Sequence, residues 1–284
     1  MLAEGAAKAA EQGGHGGGHE ESAGEVIIHH ITDSNVWQFF KDIQIHLPEF
    51  SLFGIDVSIS LHVVMMWISA ALVFLLFTRM AKAIHKGDSL VPTGSFALLE
   101  MMVLFVRDEI AYATMGEKVG RRMTPLLLTF FFFILFCNLL GLIPFMSTAT
   151  GNINVTAALA FITFLVIQFQ GMRENGVVGY WKSLVPSGVP IFLVPIMVPV
   201  EILGLFTKPF ALCMRLFANM IAGHVVILSL IMLIFTFGTI FIAPVSIGFA
   251  IFIYLLEILV AFIQAYIFTM LSALFIGMAA HPEH

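Results

Sequence analysis

Charge is what this 284-residue chain has least of. Only 11% of its residues are Asp, Glu, Lys or Arg, while 60% are hydrophobic, and soluble domains run to roughly 25% charged. That deficit excludes an ordinary water-soluble domain and leaves an integral membrane protein, in which apolar runs of about 20 residues should recur. Cysteine is nearly absent too. Cys137 and Cys213 both fall inside apolar segments, so two free thiols are expected and no disulfide framework is implied. Positive charge is scarce at the N-terminal end, where residues 1–57 hold nine acids, half of the 18 in the chain, against Lys8 and Lys41. The same stretch lacks the basic start and apolar core of a secretory signal, so no cleaved leader is expected.

What is there divides the chain in two. Residues 1–25 are rich in Gly, Ala and Glu and cannot bury enough apolar surface to offset their ordering entropy, so disorder is expected. His15, His19, His29 and His30 lack the third-and-fourth-ligand spacing of a metal centre, and the tail reads as a solvated segment. Residues 1–57 are accordingly an acidic, His- and Gly-rich non-cytoplasmic region, and 58–284 a membrane domain.

Residues 59–78 are long enough for one spanning helix, and Arg79, Lys82 and Lys86 after it place that end at the cytoplasm. The stretch from Gly94 to Arg122 mixes apolar residues with Glu100, Arg107, Asp108 and Glu109, which suits an amphipathic helix lying along the membrane surface or packed on the bundle. Residues 123–145 and 153–170 form a pair of spans with basic outer flanks. The short loop between them has no Lys or Arg and should face away from the cytoplasm. After Pro190 the chain is apolar to residue 280, with one break at FGTIFIAPVS. A helix over 190–228 would run roughly 58 Å against a hydrocarbon core near 30 Å, so it must tilt strongly, bend or break. Pro195, Pro199 and Pro209 offer places to bend. The expected fold is an all-α polytopic membrane protein of about five membrane helices, two of them long, tilted and C-terminal, plus a surface amphipathic helix. Its N-terminus would lie outside the cytoplasm and its C-terminus inside, in a bacterial inner membrane.

The last two segments carry Glu201, Lys208, Arg215, Asn219, His224, Glu257 and Gln264. Ionisable groups at membrane depth cost at least about 2.5–3.5 kcal/mol each, and they usually mark ion pathways or partners. At about 100° per residue, positions 201, 208 and 215 fall within about 40° of one another, and 219 returns to the direction of 201. His224 points about 140° away by the same geometry, while Glu257 and Gln264 lie nearly in line. One reading makes these groups interhelical glue, with His224 paired to Glu257 and Glu201 to Lys208. Arg215 resists it. The acids of the two segments are Glu201 and Glu257, and Glu201 lies nearer Lys208, so a guanidinium that cannot be discharged lacks an assured carboxylate on its own chain. Its partner would belong to another subunit.

KPFALCMRLFANMIAGHVV at 208–226, followed by LEILVAFIQAYIFTML at 256–271, closely resembles the a subunit of F-type ATP synthases. NLLGLIPF at 138–145 with NVT at 154–156 is similar to that family as well, and the likeness covers about 75–284. The resemblance implies a membrane stator beside a rotating ring of c subunits, held by b-type peripheral stalk subunits and the remaining synthase subunits, surrounded by lipid and without nucleic acid or cofactor. It implies that Arg215 faces the ring carboxylate, keeps it ionised and blocks leak between two offset proton half-channels. Asn219 and Gln264 would flank the arginine. His224 and Glu257 would line the non-cytoplasmic half-channel with Asn152 and Asn154 at its mouth, and Glu201 with Lys208 would lie toward the cytoplasmic exit. Many bacterial members have an acid at the position of His224 and a histidine at that of Glu257; this chain resembles the mitochondrial arrangement, which keeps one carboxylate and one imidazole in the same channel. Asn152 also stands where an acid is common. Such a subunit catalyses nothing covalent by itself. The alternative is a secondary ion-coupled transporter, but the internal repeats common in such carriers are missing. An intramembrane hydrolase would need a nucleophile or metal set that these residues do not supply.

Overall fold

The computed structural model describes residues 36–40, 43–46, 51–52, 55–56, 60–86, 94–143, 146–183, 192–237 and 243–280. The tail expected to be disordered, its histidines and the linker FGTIF at 237–241, apart from Phe237, lie outside them. Helix α1 spans Leu61–Lys86, α2 Ser95–Phe105, α3 Ala113–Gly141, α4 Ile153–Asn175, α5 Val177–Ser183, α6 Val194–Phe237 and α7 Ala243–Ala280. Five helical stretches are long and apolar enough to cross a membrane: Leu61–Lys82, Phe96–Gly141, Ile153–Asn175, Val194–Leu233 and Pro244–Ala280. The membrane part is all-α, as its composition requires.

Ahead of it stand two small antiparallel hairpins, which the acidic composition of residues 1–57 did not suggest. Strand β1 (Val36–Phe40) pairs with β2 (Ile43–His46), with an irregular register between Gln38 and Phe40, and β3 (Ser51–Leu52) pairs with β4 (Ile55–Asp56). VWQFF and IQIH carry the aromatic and β-branched residues that suit a pleated surface.

The stretch from Gly94 to Arg122 packs on the bundle. Helix α2 runs into a π-helical turn over Val106–Tyr112, whose Val106, Ile110 and Ala111 are buried, while Arg107 and Asp108 pair with each other on the outside at 2.7 Å. The helix is interrupted at Gly116, with φ 71° and ψ 166°, a conformation that an L side chain rarely adopts. That reversal folds the segment back, so that a Cβ at Gly120 would sit 2.8 Å from the Ala111 carbonyl oxygen. Past the reversal, α3 carries the aromatic core: Phe132 meets Phe77 of α1 edge-on at 5.1 Å, and Phe130 meets Phe268 of α7 at 5.7 Å.

Helix α6 runs unbroken for 44 residues and α7 for 38. At 1.5 Å per residue α6 is roughly 66 Å long, about twice a hydrocarbon core. It holds Pro195 in its first turn, where the missing N–H has no intrahelical partner to lose, and passes through Pro199 and Pro209 without ending.

The C-terminal end of α7 is clasped by α4. The Asn175 side-chain amide donates to the carbonyls of Ala279 (3.0 Å) and Ala280 (3.3 Å), two acceptors left open at a helix end. Asn175→Ala is therefore expected to cost about 1–3 kcal/mol, read as a lower temperature at which the subunit leaves the detergent-solubilised complex, with Asn175→Asp failing to restore it because a carboxylate cannot donate.

Candidate functional site

Helices α6 and α7 lie side by side, and the polar residues noted in the sequence gather along them. Arg215 and Asn219 are exposed on α6, whereas Glu201, Lys208 and His224 are half-buried on the same helix. The shared direction of 201, 208, 215 and 219 thus becomes a stripe that opens outward along its length. Around it the surface is apolar and unshielded: Phe206, Phe210, Phe252, Leu255, Leu259 and Phe262 are all exposed. A guanidinium in such a surroundings cannot shed its charge.

The ion pairs among the described residues are Arg107–Asp108, Lys118–Glu174 and Arg122–Glu174. None of them involves Arg215, and Glu201 and Lys208 do not pair with each other. Lys208 instead lies over the Phe275 ring of α7, 5.5 Å from its centroid, an arrangement in which the ring's negative face offsets part of the lost hydration. Interhelical glue of the Glu201–Lys208 kind is not what these two residues form.

On α7, Glu257 and Gln264 are both buried, at 3% and 2% exposure. The Gln264 side-chain amide donates to the Arg215 backbone carbonyl at 3.0 Å, which ties α7 to α6 at the arginine and leaves the guanidinium itself unencumbered. Both carboxylate oxygens of Glu257 lack a hydrogen-bond partner among the described residues. Their seat on α6 is Gly223, where an added Cβ would overlap the Glu257 carboxylate. The residue beside His224 is thus bare so that the acid can fit. Buried polar groups are ordinarily satisfied by a partner or water, which sets Glu257 apart from the buried apolar residues around it.

Asn152 and Asn154 stand at the start of α4. Asn152 caps that helix, its side-chain oxygen accepting from the Asn154 backbone N–H at 2.9 Å, and Asn154 is exposed. Capping alone accounts for an asparagine here. Close by, His62 at the start of α1 meets the Ser147 hydroxyl at 2.9 Å and the Thr148 carbonyl at 3.1 Å. No cluster of three or more metal-ligating side chains occurs among the described residues.

Two features of the site were not singled out from the sequence. One is Gly223, whose only signal was a small residue inside a helix next to a polar one. The other is the pair Tyr180 and Gln168, in which the phenol donates to the side-chain carbonyl at 2.9 Å across the turn that joins α4 to α5.

The sequence profile of the ATP synthase A chain family matches residues 63–277. Among similar proteins, the ATP synthase subunit a of Chloroherpeton thalassium is 54% identical, over 90% of this chain and 77% of its own length. That of Anaeromyxobacter dehalogenans is 50% identical over 96% and 74%, and that of Chlorobium phaeobacteroides 49% identical over 96% and 80%.

Proposed function

From the premise that this chain belongs to the ATP synthase A chain family, we propose that it carries ions through the membrane sector of an F-type ATP synthase as the stator beside a ring of carboxylate-bearing subunits. It is a multi-pass membrane subunit of that complex and no catalyst by itself. The observation that carries the finer reading is Arg215: a permanent cation, exposed on an apolar helix, with no carboxylate partner among the described residues.

Each ring carboxylate passing Arg215 gives up its proton, because a cation within about 4–6 Å favours the charged form. Away from it, in lipid, the same group is neutral, because a lone buried anion is too costly. Rotation follows when protons reach the ring on one side of the arginine and leave on the other, and the membrane potential contributes about 2.3 kcal/mol per proton per 100 mV. His224 and Glu257 line the path from the non-cytoplasmic side, with Asn152 and Asn154 at its mouth. Glu201 and Lys208 lie toward the cytoplasmic exit, and Asn219 and Gln264 flank the arginine. The b-type stalk subunits hold the chain against the turning ring. Residues 1–57 stand outside the cytoplasm and 58–284 form the membrane domain.

The test is proximity. A cysteine at the exposed Ala218, near Arg215 on α6, is combined with one beside the ring carboxylate, and the membranes are mildly oxidised. A cross-linked product containing both subunits is the expected result; its absence from assembled, ATP-hydrolysing complexes overturns the stator reading.

A further inference from the structure

We infer that Tyr180 and Gln168 are positioning residues of a water-filled station at Glu201, through which an ion leaves toward the end of α6 that begins at Val194. This deepens the stator reading and rests on it.

The placement follows from how α4 and α6 run past each other. The Thr156 hydroxyl lies 3.5 Å from the Cys213 sulfur, and the Phe164 ring stacks on Phe206 at 5.3 Å. Advancing along α4 therefore means receding along α6, and the helices are antiparallel. Four residues further along α4 stands Gln168, and five residues back along α6 stands Glu201, so both lie toward the same end of the antiparallel pair, where the charge of Glu201 also reaches Tyr180.

Tyr180 completes the arrangement. It is buried, at 4% exposure. Its ring rests on Gly171, where a Cβ would collide with it, and its hydroxyl donates to the Gln168 side-chain oxygen at 2.9 Å. Burial raises the Tyr180 pKa; the hydrogen bond to Gln168 pulls the other way, and the negative charge of Glu201 raises it again. The phenol therefore stays protonated beside the acid and serves as a donor.

The Gln168 amide nitrogen, by contrast, is buried without a hydrogen-bond partner among the described residues. A buried amide donor of this kind is what a bound water satisfies. Tyr180 fixes the orientation of that amide by occupying its oxygen, so the nitrogen is the end presented to water. Of the charged groups near this end of α4, Glu174 receives Arg122 at 3.0 Å and the Gln170 amide at 3.1 Å, with Lys118 at 3.8 Å, while Arg173 of α4 and Lys182 of α5 are exposed and form no ion pair among the described residues. Glu201 takes part in none of these pairings.

The experiment uses the full complex in inverted vesicles, whose outer face is the cytoplasmic one, in a background where Cys137 and Cys213 are serine. Gln168→Cys is treated from outside with a small methanethiosulfonate cation. ATP-driven pumping is expected to fall several-fold in the variant and to hold in the background, because only a watered position forms and presents a thiolate to the reagent. Pumping that resists the reagent overturns the inference and makes the pair a dry brace. Tyr180→Phe keeps the ring on Gly171 and removes only the hydroxyl, so it decides the matter even where Gln168→Cys fails to assemble. Its pumping is expected to drop by about fivefold, the factor of one ordinary hydrogen bond, with a displaced dependence on external pH. An unmoved pH profile overturns the inference. If Gln168→Cys and Tyr180→Phe behave as wild type while cross-linking of Ala218→Cys to the ring succeeds, the station alone is wrong; if that cross-link fails, the stator reading falls with it.

Discussion

Vesicles carrying Arg215→Ala in the assembled complex are expected to hydrolyse ATP yet pump no ions, a loss of at least about a hundredfold. The magnitude follows from the surroundings of the residue. Removing one partner of a desolvated charge pair costs about 3–5 kcal/mol, because the other charge is then stranded, and each 1.4 kcal/mol is tenfold in a rate. Nothing nearby can substitute. Lys208 is two helical turns away, roughly 10 Å along the axis, and its ammonium is engaged with the Phe275 ring. Gln264 holds only the backbone carbonyl of Arg215, so the alanine variant keeps that brace and the fold around it. Arg215→Lys should fail nearly as completely, since an ammonium lacks the planar fork of donors that meets a carboxylate two-pronged. Pumping at wild-type rate in the alanine variant would reduce Arg215 to a surface charge.

Gly223→Val is expected to be the next most damaging change, lowering pumping by about tenfold or more as the Glu257 carboxylate is pushed from its seat on α6. Even a bare Cβ at this position would lie 2.8 Å from the Glu257 carboxyl carbon, so the acid must move to admit valine. Overpacking of this kind costs about 1–3 kcal/mol. Here it falls on a carboxylate already buried without a hydrogen-bond partner among the described residues. Glu257→Asp draws the acid back by one methylene and should recover part of the loss when combined with Gly223→Ala. Wild-type pumping by Gly223→Val would mean that the seat of the Glu257 carboxylate on α6 does not matter to transport. Measuring the two single variants and the double in one series isolates the contact itself.

Much of this was legible before any coordinates. Membrane residence followed from composition, and the number of spans from the lengths of the apolar runs. That Arg215 and Asn219 share a stripe with Glu201 and Lys208 followed from helical periodicity alone; that the stripe opens outward at the first two did not. That Arg215 lacks an assured carboxylate on its own chain was also visible, because the acids of the last two segments can be counted. What stayed hidden depends on contacts between distant residues or on a single backbone angle. The reversal at Gly116 rests on one positive φ; glycine permits that angle without announcing it. The pairing of Gly223 with Glu257 requires knowing the register of α6 against α7, and helical periodicity gives the direction of a side chain but not its neighbour. Gln168 and Tyr180 meet only because the chain turns at Gly176, whose φ is 73°. The hairpins of residues 36–56 were hidden for another reason: strands of two to five residues are too short for alternation to be read.

The seating of α7 has a mechanical consequence. Its last turns are fixed from two sides, by the Asn175 amide on the Ala279 and Ala280 carbonyls and by the close approach of Gly277 to the Thr114 carbonyl. Its middle instead presents Phe252, Leu255 and Leu259 outward. A beam clamped at one end, held along one face and bare on the other answers a sideways push by flexing rather than by sliding. The Tyr254 hydroxyl, donating to the Leu142 carbonyl at 2.7 Å, acts as a second support partway along, which stiffens the span on either side of Glu257 and sends lateral load into α3.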